Sequence, residues 1–422
     1  MASTLSEWPV LLECTGAAET SRPTFRKRTM SNQSTRSSGR HFLQIPGPTN
    51  VPDRVLRAMQ SPTIDHRGPE FARLTLALLE RLKTLIGTRD QVVIYPSSGS
   101  GAWEAALLNT LSAGDRVLMF ETGHFSLLWA EIAKRLGLAV DLIPGDWRHG
   151  VSADAVESRL RDQTGRSAKA VAIVHNETST GVTSDVRAVR QAIDNAGHSA
   201  LLMVDTISSL ASIEYQHDEW GVDVTVAGSQ KGLMLPPGLG FNAVSKKALK
   251  ASEEATLPRS YWDWSPVIQA NRQGFFPYTP ATNLLFGLEE SLALLWEEGL
   301  QNVFARHRLL AEATRCAVTA WGLEVQCLSE QEHSNTLTAV RMPPGHDADT
   351  LRDLILDRFD MSLGTGLGKV KKSIFRIGHL GDFNELMLAG TLSGVEMGLD
   401  LAGVPHQEGG VTAALRLLSA SS

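Results

Sequence analysis

The chain is 422 residues long, 42% of them hydrophobic, with a formal net charge of −6. Such a length can bury a large core and, at about 100–200 residues per domain, leads us to expect two or three domains. The acidic balance argues against a nucleic-acid or anionic-membrane partner. Cys14, Cys316 and Cys327 have neither metal-ligand spacing nor a disulfide framework, and no apolar run approaches the roughly 18 residues of a membrane span, so a soluble, cytoplasmic, metal-free protein is expected.

Residues 1–40 are rich in Ser, Thr and Arg and poor in apolar periodicity, which predicts a disordered tail. Glu7, Glu13 and Glu19 count against a transit peptide, and Met30 is an alternative start. Order is expected from His41, where Pro46-Gly47-Pro48 fixes an extended, turning backbone. Phe71, Leu74, Leu78, Leu82 and Leu85 recur at helical spacing, predicting an amphipathic helix over 70–86 with Gly87 as its stop.

The strand Val92-Val93-Ile94-Tyr95 leads into Pro96-Ser97-Ser98-Gly99-Ser100-Gly101 and then a helical run. A strand, a Gly/Ser turn and a helix N-terminus together make an anion cup, although the same residues also serve as an ordinary capped turn. It lacks the P-loop lysine and the dinucleotide spacing. Strand and helix signals alternate again at 116–120, 126–136 and 140–143, the signature of a parallel sheet covered on both faces. In the first of these turns Phe125 or His124 could stack on a flat ring, or Phe125 could be ordinary core.

Ala170-Val171-Ala172-Ile173-Val174 reads as a buried strand, opening into a turn where Asn176 and Thr178 offer hydrogen bonds. Leu201-Leu202-Met203-Val204 stops at Asp205, and Gly221 to Ala227 is a β-branched strand that delivers Lys231 into a turn of glycines and prolines. If these two strands are neighbours, both charges enter the crevice beyond the strand ends, where α/β sheets bind ligands. An amine and a carboxylate so placed suit pyridoxal 5'-phosphate, whose carbonyl condenses with a lysine and whose pyridine nitrogen takes an acidic partner.

After an aromatic loop at 275–280, a long helical stretch from about Asn283 to Trp321 carries the expected boundary between a large domain, 41–300, and a small α+β domain, 301–422. In the latter, Arg376 interrupts the apolar strand Ile374-Phe375-Arg376-Ile377-Gly378. That placement is costly unless the guanidinium faces an anion, and its fork matches a carboxylate.

Taken together, Pro46-Gly47-Pro48-Thr49-Asn50, Ser97 to Glu104, His175 to Gly181, Asp218 to Asp223, Gly228-Ser229-Gln230-Lys231 and Phe375 to Leu380 resemble the class V aminotransferases, most closely the serine–glyoxylate group with its alanine and aspartate relatives. The resemblance spans about 41–405 and implies the fold type I architecture of pyridoxal-phosphate enzymes: α/β, a mostly parallel sheet in the large domain and a smaller α+β C-terminal domain. By that resemblance Lys231 would carry the cofactor as a Schiff base and Asp205 would face its ring nitrogen. Ser98, Gly99, Ser100 and Gln230 would hold the phosphate, Phe125 the ring face, Thr178 the ring oxygen and Arg376 the substrate carboxylate. It also implies a homodimer in which Thr279 reaches the partner subunit's phosphate. Thr206 and Phe125 depart from the residues usual in relatives, glycine and, in some, tryptophan.

The reaction implied is transamination of an amino acid, serine favoured, onto glyoxylate, giving hydroxypyruvate and glycine. Aspartate or alanine donors are the alternative. An aspartate donor needs a second cation, for which only Arg67 and Lys369 are candidates. A cysteine desulfurase needs a mobile thiol, whereas Cys316 and Cys327 fall in or beside the long helix. A non-catalytic regulator fits poorly with Lys231, Asp205 and Arg376 all present.

Overall fold

The computed structural model describes residues 39–420. The tail expected over 1–40, and the alternative start at Met30, lie outside the described residues but for the last two positions.

Seven strands make the main sheet, in the order Gln91–Ser97, Gly238–Val244, Val224–Gly228, Leu201–Asp205, Ala168–Val174, Arg116–Phe120 and Ala139–Ile143. All run parallel except Gly238–Val244, which is antiparallel to both neighbours. Alternate residues of one strand face opposite layers. Leu202 and Val204 join Phe71, Leu78 and Leu82 on one side, while Leu201 and Met203 join Trp103 and Trp129 on the other. This two-sided burial is why the strand sequences read as unbroken apolar runs.

The amphipathic helix runs Pro69–Ile86 and buries Phe71, Leu74, Leu78, Leu82 and Leu85, as its spacing predicts. Gly87 ends it at φ +74°, with its N–H bonded to Lys83 O and Thr84 O. A left-handed cap of this kind favours glycine because a Cβ would crowd the following carbonyl.

Gly238–Val244 is the main departure from the predicted elements. Its sequence, Gly-Leu-Gly-Phe-Asn-Ala-Val, has two glycines and a polar residue where a strand pattern would be apolar. Asn242 nonetheless sits buried in mid-strand, donating to Ala102 O at 3.1 Å and accepting from Trp264 Nε1 at 3.3 Å. These bonds offset the cost of its burial.

A second sheet has the order Phe42–Gln44, Met361–Thr365, Ile374–Gly378, Leu337–Arg341 and Glu324–Val325. Its core gathers Leu310, Trp321, Phe375, Leu388 and Leu392. The stretch expected as one helix is two, Thr282–Glu298 and Leu300–Ala320, broken at Gly299 with φ +85°. The segment 45–50 passes from the second sheet to the first. A Cβ at Gly378 would come within 2.2 Å of Ile45 O, and Thr49 N–H bonds Gln230 O at 3.2 Å.

Candidate active site

The strands Leu201–Asp205 and Val224–Gly228 are neighbours, with Asp205 opposite Val226, so the expected crevice exists. Beyond their carboxyl ends lies a cavity of about 210 Å³ whose walls include Ser98, Gly99, Ser100, Phe125, Thr178, Asp205, Gln230 and Lys231. Eight residues singled out from the sequence thus meet in one hollow, joined by Gly47, Pro48, Trp103 and Ile207. A larger hollow of about 870 Å³ lies elsewhere; of the arginines that line it, Arg54 and Arg306 are already paired with Glu297 and Glu298.

Lys231 is buried, and its Nζ donates to Pro46 O. Burial is the main cause that lowers its amine to about 7; the Arg376 charge pushes the same way, against Asp205 and Glu177. Gly47 makes this approach possible. It has φ +102°, and a Cβ there would fall 2.4 Å from Lys231 Cδ. Thr49 completes the brace by donating from its hydroxyl to Lys231 O at 3.2 Å.

The Asp205 carboxyl is raised to about 7, again chiefly by burial. Its Oδ1 accepts from Ile207 N–H at 2.6 Å and its Oδ2 from Trp103 Nε1 at 3.1 Å. Arg376 is buried and lowered to about 10 by desolvation. It donates through Nε to Thr365 O at 2.8 Å and through Nη1 to Thr178 O at 2.6 Å. The second sheet's arginine is thereby tied to the loop that carries Thr178.

The helix Gly99–Thr110 starts at Ser98 with no side-chain cap. Ser98, Gly99 and Ser100 line the cavity, so the helix N-terminus opens on it, and the dipole there favours an anion. Gly99 is fitted tightly, since a Cβ would lie 2.3 Å from Ile207 Cδ1. Gln230 has a buried Oε1 without a hydrogen-bond partner among the described residues. The two ends of an amide interchange readily, so Gln230 can turn its NH₂ to an anion. An uncapped helix N-terminus, an orphaned amide, a buried carboxylate and a buried amine fit the phosphate, ring nitrogen and carbonyl of pyridoxal phosphate.

Some residues weighed from the sequence lie off the cavity walls, Arg376 among them, which reaches the site only through its bond to Thr178 O. Asn176 is another: its amide donates to Ser208 Oγ and Thr336 Oγ1 and accepts from Thr183 Oγ1. It is a brace; Thr178 is left as the polar group at that strand end. Thr279 is exposed and lines no part of its own chain's cavity. Lys369 pairs with Glu121 and lies 5.7 Å from the centre of the Trp147 ring. Arg67 is exposed and also absent from the cavity walls.

Two groups with evident roles had no local signal in sequence. Trp103 and Asp205 are 102 residues apart, so nothing in the pattern links them. Glu177 is fully buried and accepts from the N–H groups of Phe125, Ser126 and Ser179 and from Ser179 Oγ. Its carboxylate thus stands at the N-terminus of the helix His124–Arg135 and fixes the residue that faces the ring position.

The family pattern described as aminotransferase class-V matches residues 41–368. The chain belongs to the class-V aminotransferases. A serine–glyoxylate aminotransferase of Methylorubrum extorquens is 50% identical over 90% of this chain and 96% of its own. An L-aspartate–glyoxylate aminotransferase of Paracoccus denitrificans is 45% identical over 88% of this chain and 94% of its own. Among solved structures, a pyridoxamine–pyruvate aminotransferase from Mesorhizobium loti superposes with a TM-score of 0.84 at 27% identity, covering 90% of this chain and 97% of that one. This class-V aminotransferase therefore has the fold type I architecture, and pyridoxal phosphate is its cofactor.

Proposed function

We propose that this aminotransferase moves the amino group of serine to glyoxylate, using Lys231, Asp205 and Arg376 as its chemical groups. The observation that carries the reading is the buried Lys231 amine in one cavity with Asp205 and the uncapped N-terminus of the helix Gly99–Thr110. When bound, pyridoxal phosphate supplies an electron-withdrawing ring that weakens the bonds at the substrate's Cα.

The chain's own groups divide the remaining work. Ser98, Gly99, Ser100 and Gln230 would hold the phosphate, Phe125 would cover the ring and Thr178 would serve the ring oxygen. Asp205, as a carboxylate, would be the partner that keeps the ring nitrogen protonated. Arg376 would receive the substrate carboxylate on the guanidinium N–H groups that its bonds to Thr365 O and Thr178 O leave free. Lys231 Nζ would take and give back the proton at the substrate's Cα; an amine near neutrality suits both directions of transfer. Burial of Lys231, Asp205 and Arg376 keeps water from competing for that proton.

Serine is favoured over aspartate because Lys231 is the one cation on the cavity walls among the described residues, and Arg376 beside them is given to the first carboxylate. A second substrate carboxylate buried without a partner costs several kcal/mol, and Arg67 and Lys369, unlike Arg376, bond no residue that lines the cavity. The 50% identical serine–glyoxylate relative supports the same donor, while the 45% identical aspartate relative keeps aspartate as the second reading. Burial pushes the Cys327 thiol up to about 11, which counts against desulfurase chemistry. We further propose a homodimer in which the exposed Thr279 reaches the partner subunit's phosphate. The cytoplasm is the proposed compartment, resting on the cysteine usage; no described helix is long and apolar enough to cross a membrane.

The test is kcat/KM for L-serine, L-aspartate and L-alanine with saturating glyoxylate. We expect serine to lead, by about tenfold if the missing cation costs even one hydrogen-bonded charge. A tenfold lead for aspartate would overturn the donor and bring Arg67 or Lys369 into the site.

A further inference from the structure

We propose that Trp103 is the positioning residue of Asp205, its indole N–H holding the carboxylate in the ionised form and in the rotamer that faces the cofactor's ring nitrogen. The inference rests on the reading above, in which Asp205 meets that nitrogen.

The indole N–H is a donor only, with no lone pair to offer. Opposite a carboxyl group it rewards the charged form and gives nothing to a proton on Oδ2. Trp103 Nε1 lies 3.1 Å from Oδ2, and Ile207 N–H takes Oδ1 at 2.6 Å, so each oxygen has one fixed donor. The remaining lone pairs are then the ones open to the cavity, which Asp205 and Trp103 both line.

Trp103 is unusually well held for such a task. It is 1% exposed and stacks on Trp129 with ring centroids 5.9 Å apart and planes 12° from parallel. It sits on the first turns of the helix Gly99–Thr110, whose N-terminus is the proposed phosphate cup. One short helix therefore sets both the anion end of the cofactor and, through the indole, the carboxylate at its ring nitrogen. Trp129 Nε1 has no partner among the described residues; the two stacked indoles differ in that Trp103 alone has its N–H on a carboxylate.

The charged groups around Asp205 set the sign of the effect. Burial and the Glu177 carboxylate favour the protonated form, whereas Lys231 and the two N–H donors favour the ionised one. Removing the indole N–H takes away one of the groups that oppose burial. The carboxyl then ionises at higher pH, and the cofactor loses its anionic partner at higher pH.

The experiment compares Trp103→Phe with Trp129→Phe, which removes packing from the same stack but no bond to Asp205. Binding of pyridoxal phosphate to each cofactor-free chain is measured by fluorescence from pH 5 to 9, alongside thermal melting. In Trp103→Phe, the pH below which affinity falls should move up by about one unit, and affinity at pH 7 should drop about tenfold, as expected for one hydrogen bond to a charged group. Trp129→Phe should lower the melting temperature and leave that pH in place. Should phenylalanine prevent folding, benzothienylalanine at 103 replaces the N–H by sulfur in the same shape, and the same shift is expected.

If the acid limb of Trp103→Phe or its sulfur analogue coincides with wild type, Trp103 is packing alone and the inference is overturned. Asp205→Asn separates this from failure of the underlying reading. Loss of cofactor affinity and of the acid limb in Asp205→Asn, with no change at Trp103, would sink the positioning role only. An unchanged Asp205→Asn would remove Asp205 from the ring nitrogen and both readings with it.

Discussion

At the scale of single residues, burial makes the central amine and carboxyl titrate near neutrality. Lys231 is held down at about 7, below the 10.5 of an exposed lysine. Between those values the unfolded chain binds a proton that the folded chain has lost. The amine's penalty on folding is therefore full below about pH 7 and fades as pH rises toward 10.5. Lys231→Met keeps the methylenes and drops the charge, so the cofactor-free variant should melt about 3–6 °C higher than wild type at pH 6 and at nearly the same temperature at pH 10.5. Asp205, raised to about 7 from 3.8, has the opposite dependence: its penalty is absent below pH 3.8 and full above pH 7. Lys231→Met should also abolish transamination and the visible absorbance of lysine-bound cofactor. Turnover that survives the substitution would exclude Lys231 from the chemistry. Arg376→Lys loses the planar fork and both backbone bonds of Nε and Nη1. KM for amino donors should rise about tenfold or more with cofactor affinity little changed, as steady-state kinetics and cofactor titration would read it.

At the scale of elements, the site depends on where segments touch. Gly47 has a left-handed φ and meets the Lys231 side chain, so Gly47→Ala would have to move the lysine or the segment 45–50. Turnover should fall about a hundredfold, with the melting temperature lowered by only a few degrees, since the clash is with the end of one side chain. Equal kcat in variant and wild type would mean that the segment gives way instead. Much of this level was legible in the sequence. The runs ending at Asp205 and Ala227 read as buried parallel strands because strands covered on both faces are apolar throughout; the sequence leaves their adjacency as a condition, and the pairing of the two strands meets it. Glycines at 87 and 47 marked turns for the same physical reason. Gly238–Val244 was not legible, because glycines and Asn242 hide a strand whose partners are supplied by Ala102 and Trp264. Likewise, the Trp103–Asp205 bond spans 102 positions and the strand Phe42–Gln44 pairs with Met361–Leu363 more than three hundred positions away. No local window contains either pair, so periodicity cannot find them.

At the scale of the molecule, two sheets and three main cores are joined by the segment 45–50 and by the pair of helices that meet at Gly299. The proposed division at 300/301 follows that break, with Phe42–Gln44 as the strand that crosses it. The proposed dimer is open to a complementation experiment. Lys231→Ala and Thr279→Ala chains are mixed, and hybrid dimers isolated by tags. If Thr279 serves the partner subunit's site, each hybrid has one site carrying both defects and one carrying neither, so activity per hybrid should be about half that of wild type. A hybrid with both sites impaired would place Thr279 in its own chain's site.

The antiparallel strand Gly238–Val244 has a consequence of a different kind. It stands between the strand that ends in the Ser98 cup and the strand that delivers Lys231, and because both neighbours run opposite to it, those two ends emerge on the same edge. Two inter-strand spacings, about 9–10 Å, then separate the two strand ends. That separation is written in the hydrogen-bond ladder and is indifferent to which side chains line the hollow. The ladder thus acts as a frame: it decides that the two turns open on one hollow, and leaves to the Ser98 turn and the Lys231 side chain how far each reaches into it.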